Sequence, residues 1–553
     1  MKHIAFLLLF ISLFLPVRTQ SPTPLAWLDD KPQKHEVRAV WLTTIGGIDW
    51  PHTYNTNRQK EELQQTLDRL KAVGINTILL QTRVRATTIY PSAQEPWDGC
   101  LSGTPGRAPG YDALRFCIDE CHRRGMELHA WVVTIPVGKW NALGCRQLRK
   151  RFPKLIKRIG EEGYMDPENV QTADYLAGIC REITREYDVD GIHLDYIRYP
   201  ETWRIRVSRQ QGRQHITRIV RAIHDAVKAE KPWVKLSCAP IGKYDDLLRY
   251  RSGGWNAHTT VCQDAQQWLQ TGLMDMLFPM MYFRDNNFFP FAIDWQEHSY
   301  GRIVVPGLGI YFLDPKEGRW LLSDVTRQLY VLRSLGMGHC YFRSLFLSHN
   351  TQGLYDFCQR FNATPALIPP MTWAGVQAPT PPSSLSLNGT LLNWSGARDR
   401  SDSPYLLYNI YASRHFPVDT SDPSLLVCTR LKANQLQVPA TSGINYAVTA
   451  CNRYGMESEA AQLCRTGGND DRYFRTNDIL YCDGNTLRLP QKPVILDADY
   501  VIVETLMGQQ LATHRYSKKP IDVSQLPNGI YALRSLGRKG RNHRIGYFSI
   551  YRR

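Results

Sequence analysis

The sequence predicts an α/β fold: a (β/α)8 TIM barrel followed by two small all-β, sandwich-like domains. From about residue 35 to 362, short apolar runs alternate with helical segments, and eight of these runs have the length of strands. After a proline-rich stretch, short strands of alternating polarity replace this pattern. Eight parallel strands separated by helices close into a barrel. A doubly wound sheet is the alternative, but no glycine-rich phosphate loop follows the first strand.

A helix is predicted between the first two strands. Leu63, Leu67 and Leu70 recur at helical spacing, and Gly74 follows where a helix C-terminus favours glycine. The eight predicted strands are residues 37–41, 77–81, 128–133, 191–195, 234–238, 274–279, 303–307 and 339–342.

The domain limits follow from changes in composition. The barrel domain is predicted over 35–362, and the prolines of 363–384 predict a linker. Residues 385–466 show the short alternating strands of a β-sandwich and resemble a fibronectin type III module. A third, β-rich domain is predicted over 470–553.

The N-terminus predicts export. Residues 1–19 contain Lys2, an apolar run over 4–15 and Pro16, the pattern of a signal peptide. We therefore expect the mature chain in the periplasm, the cell envelope or the extracellular space. No later run approaches the roughly 18 to 20 apolar residues of a membrane span, so no transmembrane segment is expected.

The charge balance indicates the kind of partner. The chain has 67 Lys and Arg against 51 Asp and Glu, a formal net charge of +16. Such an excess favours polyanions. The basic residues form no recognisable nucleic-acid motif, so we expect a glycan partner and no nucleic acid. A solvated basic surface is the alternative, and the oligomeric state is not predicted.

The 13 cysteines do not define a disulfide framework. Most fall in apolar helix or strand patterns and are predicted to be buried thiols. Cys428, Cys451, Cys464 and Cys482 are the candidates for one or two bridges, whose pairing is left open.

Residues 189–200 end an apolar strand in an acid, two tyrosines and an arginine. An ionised carboxylate at the end of a strand buried on both faces must be paired or must face a wet cleft. The active sites of parallel barrels lie at that end of the strands. Asp195 is therefore the first catalytic candidate, with a structural pair to Arg198 as the alternative.

Aromatic and hydrogen-bonding side chains dominate the other predicted strand ends. Such a rim suits a sugar chain, whose apolar faces stack on aromatic rings while its hydroxyl groups need polar partners. Each aromatic residue taken singly has core packing as its alternative. The predicted sugar-binding residues are Trp41, Arg83, His129, Trp131, Tyr196, Arg198 and Tyr282.

Five ordered motifs support this interpretation: EVRAVWLTT at 36–44, QTR at 81–83, YPSAQEPW at 90–97, HRRGMELHAW at 122–131 and DGIHLDYIRYP at 190–200. Together they resemble the glycosyl-hydrolase-10-like family over about residues 35–362. The resemblance implies a (β/α)8 fold and glycoside hydrolase activity. One branch of that family acts on peptidoglycan strands stripped of peptides.

Glycoside hydrolysis usually requires two carboxyl groups, one as acid and one as nucleophile or base. We assign Asp195 to the second role and Glu95 to the first, because Pro96 and Trp97 beside Glu95 would raise its pKa. A salt bridge from Glu95 to Arg83 or Arg107 is the alternative. No cofactor and no metal are expected.

The turn after the second strand departs from the family pattern, since Arg83 and Arg85 stand where many relatives carry an acid. These arginines are predicted to bind a substrate carboxylate, or to mark lost catalysis. The competing function is a non-catalytic carbohydrate-binding or envelope-assembly protein. A second carboxylate about 5 to 9.5 Å from Asp195 would favour hydrolysis, and a salt bridge from Arg83 or Arg85 in that gap would favour the receptor.

Overall fold

The computed structural model describes residues 31–250, 252–439, 441, 443–463, 480, 482, 485–489, 498–505, 509–517, 519–537 and 542–550. The predicted signal peptide at 1–19 and Cys464 lie outside the described residues, as does part of the predicted domain at 470–553. None of the helices in the described ranges combines the length and the apolar character that a bilayer crossing requires.

The first part of the chain alternates strands with helices. The strands are β1 (Arg38–Leu42), β2 (Thr77–Arg83), β3 (Glu127–Val133), β4 (Pro136–Lys139), β5 (Ile156–Ile159), β6 (Glu162–Met165), β7 (Gly191–Asp195), β8 (Lys235–Cys238), β9 (Met276–Leu277), β10 (Ile303–Val304), β11 (Gly307–Leu308) and β12 (His339–Tyr341). The helices are α1 (Thr56–Ala72), α2 (Gly99–Ser102), α3 (Ala113–Arg123), α4 (Leu143–Arg151), α5 (Val170–Glu186), α6 (Arg209–Glu230), α7 (Ala265–Gln270), α8 (Phe289–Glu297), α9 (Leu322–Ser334), α10 (Ser344–Ser348) and α11 (Leu354–Phe361).

The parallel strands form a closed ring in the order β10-β9-β8-β7-β3-β2-β1-β12-β11. Both ends of that order belong to one segment of chain: Ile303 and Val304 pair with β9, and Gly307 and Leu308 pair with β12. The segment thus fills the seventh position and closes the sheet on itself. The predicted α/β barrel is confirmed, with eight strand positions as the sequence indicated.

Local sequence explains the outer helices. Asn55 caps α1 by accepting hydrogen bonds from the backbone N–H groups of Asn57 and Arg58. The predicted leucine stripe of α1 is buried against the barrel. Gly74, after this helix, has φ +79°, and a Cβ there would stand 2.7 Å from the Cβ of Asn362, so this turn requires glycine.

Two further β regions follow the barrel. The first contains β13 (Ser384–Asn388), β14 (Leu391–Ser395), β15 (Leu407–Ser413), β16 (Leu426–Leu431), β17 (Gln435–Gln437), β18 (Asn445–Cys451) and β19 (Ala461–Leu463). These strands form two antiparallel sheets, β13-β14-β17 and β16-β15-β18-β19. Side chains of both sheets, including Trp394 and Val448, share one buried cluster, so we call this region the sandwich.

The second β region contains β20 (Thr486–Leu487), β21 (Ala498–Thr505), β22 (Gln510–Arg515), β23 (Ile521–Asp522), β24 (Gly529–Gly537) and β25 (Asn542–Ile550). Its sheets have the orders β20-β23 and β22-β21-β24-β25.

The domain limits that the sequence indicates, at 35–362, 363–384, 385–466 and 470–553, stay a prediction. Among the described residues Cys428 and Cys451 are free thiols.

The segment predicted as a linker, 363–384, packs between the barrel and the sandwich. The backbone N–H of Glu36 donates to the Leu367 carbonyl at 2.9 Å, and the Met371 N–H donates to the Tyr454 carbonyl at 2.8 Å. The indole N–H of Trp373 donates to Asp275 at 2.9 Å. This segment therefore joins the two regions by direct contacts as well as by connectivity.

Two arginines of the sandwich complete ion pairs at the base of the barrel, the end where the parallel strands begin. Arg430 donates to Glu127 at 2.9 Å and to Asp190 at 2.6 Å, and Arg453 donates to Asp190 at 3.2 Å. Burial alone would raise the pKa of Glu127, but Lys235 and Arg430 outweigh it and lower this pKa to about 2. The buried acids of the barrel thus take part of their charge compensation from another region of the chain.

We expect Arg430→Met to destabilise the whole protein by about 3–5 kcal/mol, because it leaves two buried carboxylates without one of their cations. Urea unfolding of the full chain measures the effect. Arg400→Met, at an exposed position of the sandwich, is the matched control and should leave the midpoint unchanged. Equal midpoints for the two variants would contradict the importance of the Arg430 pairs.

Candidate active site at the carboxyl end of the barrel

Asp195 is the last residue of β7 and lies at the mouth of the barrel, the end where the parallel strands finish. It is 8% exposed. Its Oδ1 accepts the backbone N–H of Tyr196 at 2.7 Å, and its Oδ2 accepts the indole N–H of Trp131 at 3.2 Å. Burial raises the pKa of Asp195, and the positive charge of Arg198 and these two hydrogen bonds offset that rise only in part. This carboxyl group is held in one orientation and retains its proton more readily than a surface aspartate.

The residues after Asp195 turn sharply and bring an arginine back beside it. Tyr196 has φ +54°, a left-handed conformation. Arg198 lies over the Tyr196 ring at 4.2 Å and donates from Nη2 to Glu201 at 2.7 Å. Its Nε and Nη1 are buried and have no hydrogen-bond partner among the described residues. Two buried donors next to Asp195 are therefore available to a ligand.

Glu201 is a site residue that the sequence interpretation missed. It is exposed in the loop after β7, and its charge contributes to the raised pKa of Asp195, which places the two carboxyl groups within electrostatic reach of each other. The signal in the sequence is its position three residues after Arg198, with which it forms an ion pair at 2.7 Å.

Half-buried aromatic rings complete the mouth of the barrel. Tyr282 lies 5.3 Å from Phe342 and 5.8 Å from Tyr311, between ring centroids. Burial, Cys340 and the charge of Asp195 raise the pKa of Tyr282, so its hydroxyl stays neutral. Phe342, the last residue of the predicted strand 339–342, is not among the predicted site residues. These rings supply apolar faces on which a pyranose ring stacks.

Glu95 does not have the environment predicted for a general acid. Arg83 donates to both oxygens of Glu95, at 2.8 and 2.7 Å, and the hydroxyl of Tyr175 donates to Oε1 at 2.9 Å. Both charged side chains are fully buried. The alternative interpretation, a salt bridge that braces the loop after β2, describes this arrangement. Both oxygens of Glu95 already accept hydrogen bonds from the protein, which favours the structural role, and its role as the acid stays a prediction.

The same pair occupies Arg83, whose predicted contact with the sugar stays a prediction. Its Nη1 donates to the carbonyl groups of Val133 and Thr134, so its donors are occupied by protein. Arg85 is 44% exposed and has Glu162 at 3.7 Å. Of the two arginines predicted to meet a substrate carboxylate, only Arg85 is accessible.

Trp41 and His129 are buried, at 2% and 0% exposure. The Trp41 indole N–H donates to Nε2 of His193 at 3.2 Å, and its ring lies 6.1 Å from Phe278 and 5.8 Å from Phe342. His129 Nε2 lies 3.1 Å from Glu127 at the base of the barrel. Contact of these two side chains with a sugar stays a prediction. Trp131 donates to Asp195 and so lies beside the candidate catalytic group.

One group of described residues brings together possible metal ligands away from this mouth. Asp294, Glu297 and His298 on α8 have potential ligand atoms within 4.8 Å of one another. Gln266 donates to Asp294 at 2.9 Å, and Arg249 pairs with Glu297 at 2.6 Å. Hydrogen bonds and ion pairs within the protein explain this cluster.

A barrel with a buried carboxyl group, an adjoining arginine and aromatic rings at its mouth has the arrangement of a glycan-acting protein. Residues 36–212 and 203–311 match the model of the family described as glycosyl hydrolase-like 10. The barrel of this chain belongs to that family.

Two relatives and one solved structure show how far the similarity extends. Glycosyl hydrolase YngK of Bacillus subtilis (strain 168) is 26% identical over 488 residues, covering 77% of this chain and 92% of that protein. Glycosyl hydrolase DigH of Escherichia coli (strain K12) is 27% identical over 286 residues, covering 44% of this chain and 65% of that protein. Alpha-L-fucosidase isoenzyme 2 from Paenibacillus thiaminolyticus aligns with a TM-score of 0.41 and 14% identity, covering 59% of this chain and 49% of that chain.

We expect Glu95→Gln to act through stability. The substitution leaves the buried guanidinium of Arg83 uncompensated and should lower the free energy of unfolding by about 3–5 kcal/mol. The double variant Arg83→Met/Glu95→Leu removes both charges and should recover much of that loss, as measured by urea unfolding. If Glu95→Gln instead unfolds like the wild type while glycan hydrolysis disappears, the structural role of Glu95 is contradicted and its role as the general acid is favoured.

Proposed function

We propose that the protein is an exported glycoside hydrolase that cleaves an acidic glycan, such as peptidoglycan strands or a uronic polysaccharide, at the mouth of the barrel. The observation that carries the proposal is Asp195: a buried, oriented carboxyl group with a raised pKa, beside half-buried aromatic rings, in a barrel of the glycosyl hydrolase-like 10 family. Export rests on the predicted signal peptide at 1–19.

The environment of Asp195 favours the role of general acid over that of nucleophile or base. A carboxyl group with a raised pKa keeps its proton to higher pH than a surface aspartate does, which favours donation of that proton to the leaving oxygen. Glu201 is exposed and accepts a hydrogen bond from Arg198 at 2.7 Å, so we assign it the complementary role. Hydrolysis with one protonated and one ionised carboxyl group is the usual mechanism of glycosidases.

The substrate contacts that we propose lie on the loops around Asp195. Tyr196 and Tyr282 provide ring faces, and the unpartnered Nε and Nη1 of Arg198 provide donors for a hydroxyl or carboxylate group of the sugar. Arg85 is the second accessible cation near the mouth. For the sandwich, the three-stranded and four-stranded sheets support the proposed likeness to a fibronectin type III module.

A second candidate function is carbohydrate binding without hydrolysis, as in an envelope-assembly protein. The observation that favours it is the ion pair of Arg83 with Glu95, which removes the carboxylate that we predicted as the acid. Under this alternative Asp195 and Arg198 bind a sugar but no bond is broken.

Hydrolysis predicts that Asp195→Asn loses product release by on the order of 10²- to 10⁴-fold, because the amide cannot donate or take the catalytic proton. Polygalacturonate and peptide-free peptidoglycan strands are the test substrates, with reducing ends as the readout. Asp225→Asn, at an exposed position of α6, is the matched control. If the wild type binds these glycans but releases no product, the binding function replaces the enzyme.

The indole donor of Trp131 offers a test of the direction of proton transfer. Trp131→Phe removes a hydrogen bond to the ionised form of Asp195, so the pKa of Asp195 should rise by roughly one unit. If Asp195 is the acid, the alkaline limb of the pH profile of kcat/KM shifts to higher pH.

A shift of the acidic limb alone would assign Asp195 as base or nucleophile instead. Trp233→Phe is the control, since Trp233 is buried far from the mouth and its indole N–H has no partner among the described residues.

A further inference from the structure

An insert between β3 and α5 has the densest positive charge that we find on the described surface of the barrel. Residues 139–160 contain eight Lys and Arg and no Asp or Glu, whereas about one residue in eight is Lys or Arg over the whole chain. These residues belong to an insert over 136–165 that consists of α4 and the three-stranded antiparallel sheet β4-β6-β5 and that also contains Glu161 and Glu162. Because it follows the carboxyl end of β3, it stands on the same side of the barrel as Asp195.

Close backbone packing fixes the insert on the rim. A Cβ at Gly144 would lie 2.1 Å from the carbonyl oxygen of Ala86, and one at Gly138 would lie 3.3 Å from the Cβ of Arg85. Both contacts are with the turn after β2. The charge of Arg85 affects the pKa of Tyr196, so this turn adjoins the proposed sugar site. The insert therefore extends the mouth of the barrel on its β2–β3 side.

Most of these cations are exposed and have no carboxylate partner. The exposed set is Lys139, Arg146, Lys150, Arg151, Lys154, Lys157 and Arg158. Lys157 pairs with Asp166 at 2.7 Å and Arg158 with Glu161 at 2.9 Å. No ion pair is found for the other five within the part of the chain that the structure describes. The surface thus keeps a net positive field.

Helix stability explains only part of this pattern. Arg149, Lys150 and Arg151 lie in the last turn of α4, where cations interact favourably with the helix dipole. Lys139 and Lys154 lie outside that helix and gain nothing from it.

Two of the guanidinium groups are held in place. Arg149 lies over the Trp140 ring at 3.8 Å and donates to the Trp140 carbonyl at 2.9 Å. Arg158 lies 5.6 Å from the same ring. Since arginines cover the ring of Trp140, this aromatic side chain offers no free platform for stacking a nucleic-acid base. The surface presents charge alone, which suits a polymer with regularly spaced anionic groups.

We propose that residues 139–160 form a binding surface for an acidic polysaccharide, which holds the polymer beside the mouth of the barrel. The carboxylate groups of the polymer contact the exposed lysines and arginines, and a single strand reaches from the insert past Arg85 toward Tyr196. This surface is separate from the residues that contact the sugar at Asp195, and polymer binding to it does not depend on hydrolysis.

The test removes four exposed cations that have no partner: Lys139→Ser, Arg146→Ser, Lys150→Ser and Lys154→Ser in one variant. The matched control removes four other exposed cations: Arg58→Ser, Arg221→Ser, Arg398→Ser and Arg400→Ser. Both variants change the net charge equally. Circular dichroism and the urea midpoint establish that each full-length variant is folded, and Lys150→Ser/Lys154→Ser alone provides a milder change.

Binding of fluorescently labelled polygalacturonate is measured by anisotropy over a range of salt concentrations. We expect the insert variant to bind on the order of tenfold more weakly at low salt, with a reduced salt dependence, and the control to bind like the wild type. Neutral mannan should bind equally to all three proteins. The release of reducing ends is measured for the same variants, so loss of catalysis and loss of this surface are separate outcomes.

Equal affinities of the insert variant and the control would overturn the proposal, because net charge alone would then explain the binding. A single-stranded oligonucleotide that binds the wild type more tightly than polygalacturonate, and loses affinity in the insert variant, would replace the polysaccharide with nucleic acid as the partner.

Discussion

A carboxylate inside a ring of parallel strands must be compensated, since water cannot reach it. At the base of the barrel this constraint is met in full: Glu36 is surrounded by Arg38 and Arg333, and Glu127 by Lys235 and Arg430. Burial raises the pKa of each acid, but these cations outweigh it and lower both values to about 2.

Asp195, at the mouth of the same barrel, is less completely compensated by positive charge than these acids are. Its oxygens accept two N–H groups, and its nearest cation, Arg198, makes its ion pair with Glu201. The raised pKa of Asp195 is the result of incomplete compensation. A perturbed pKa of this kind is characteristic of functional groups, whereas fully paired acids are characteristic of structural ones. The paired acids at the base of the barrel therefore serve stability, and the incompletely compensated acid at the mouth is the candidate for catalysis.

Much of the fold could be predicted from the sequence, because strand length, helical periodicity and turn residues are local properties. The eight strand positions and Asp195 at a strand end follow from them. The level at which a side chain points into the ring is not local, since it depends on how neighbouring strands are staggered. The sequence predicts Trp41 and His129 as sugar contacts, whereas the structure shows that both side chains are buried. The bond between Arg83 and Glu95 was weighed as an alternative, but only the folded loop decides which partner each charge takes.

Arg430 and Arg453 of the sandwich neutralise buried acids of the barrel. The anions at Glu127 and Asp190 belong to the barrel sequence, while two of their counterions are encoded more than two hundred residues later. A barrel joined to a foreign sandwich would keep the acids at its base but would lose two of their cations. Exchange of the sandwich therefore requires new counterions as well as a new covalent connection.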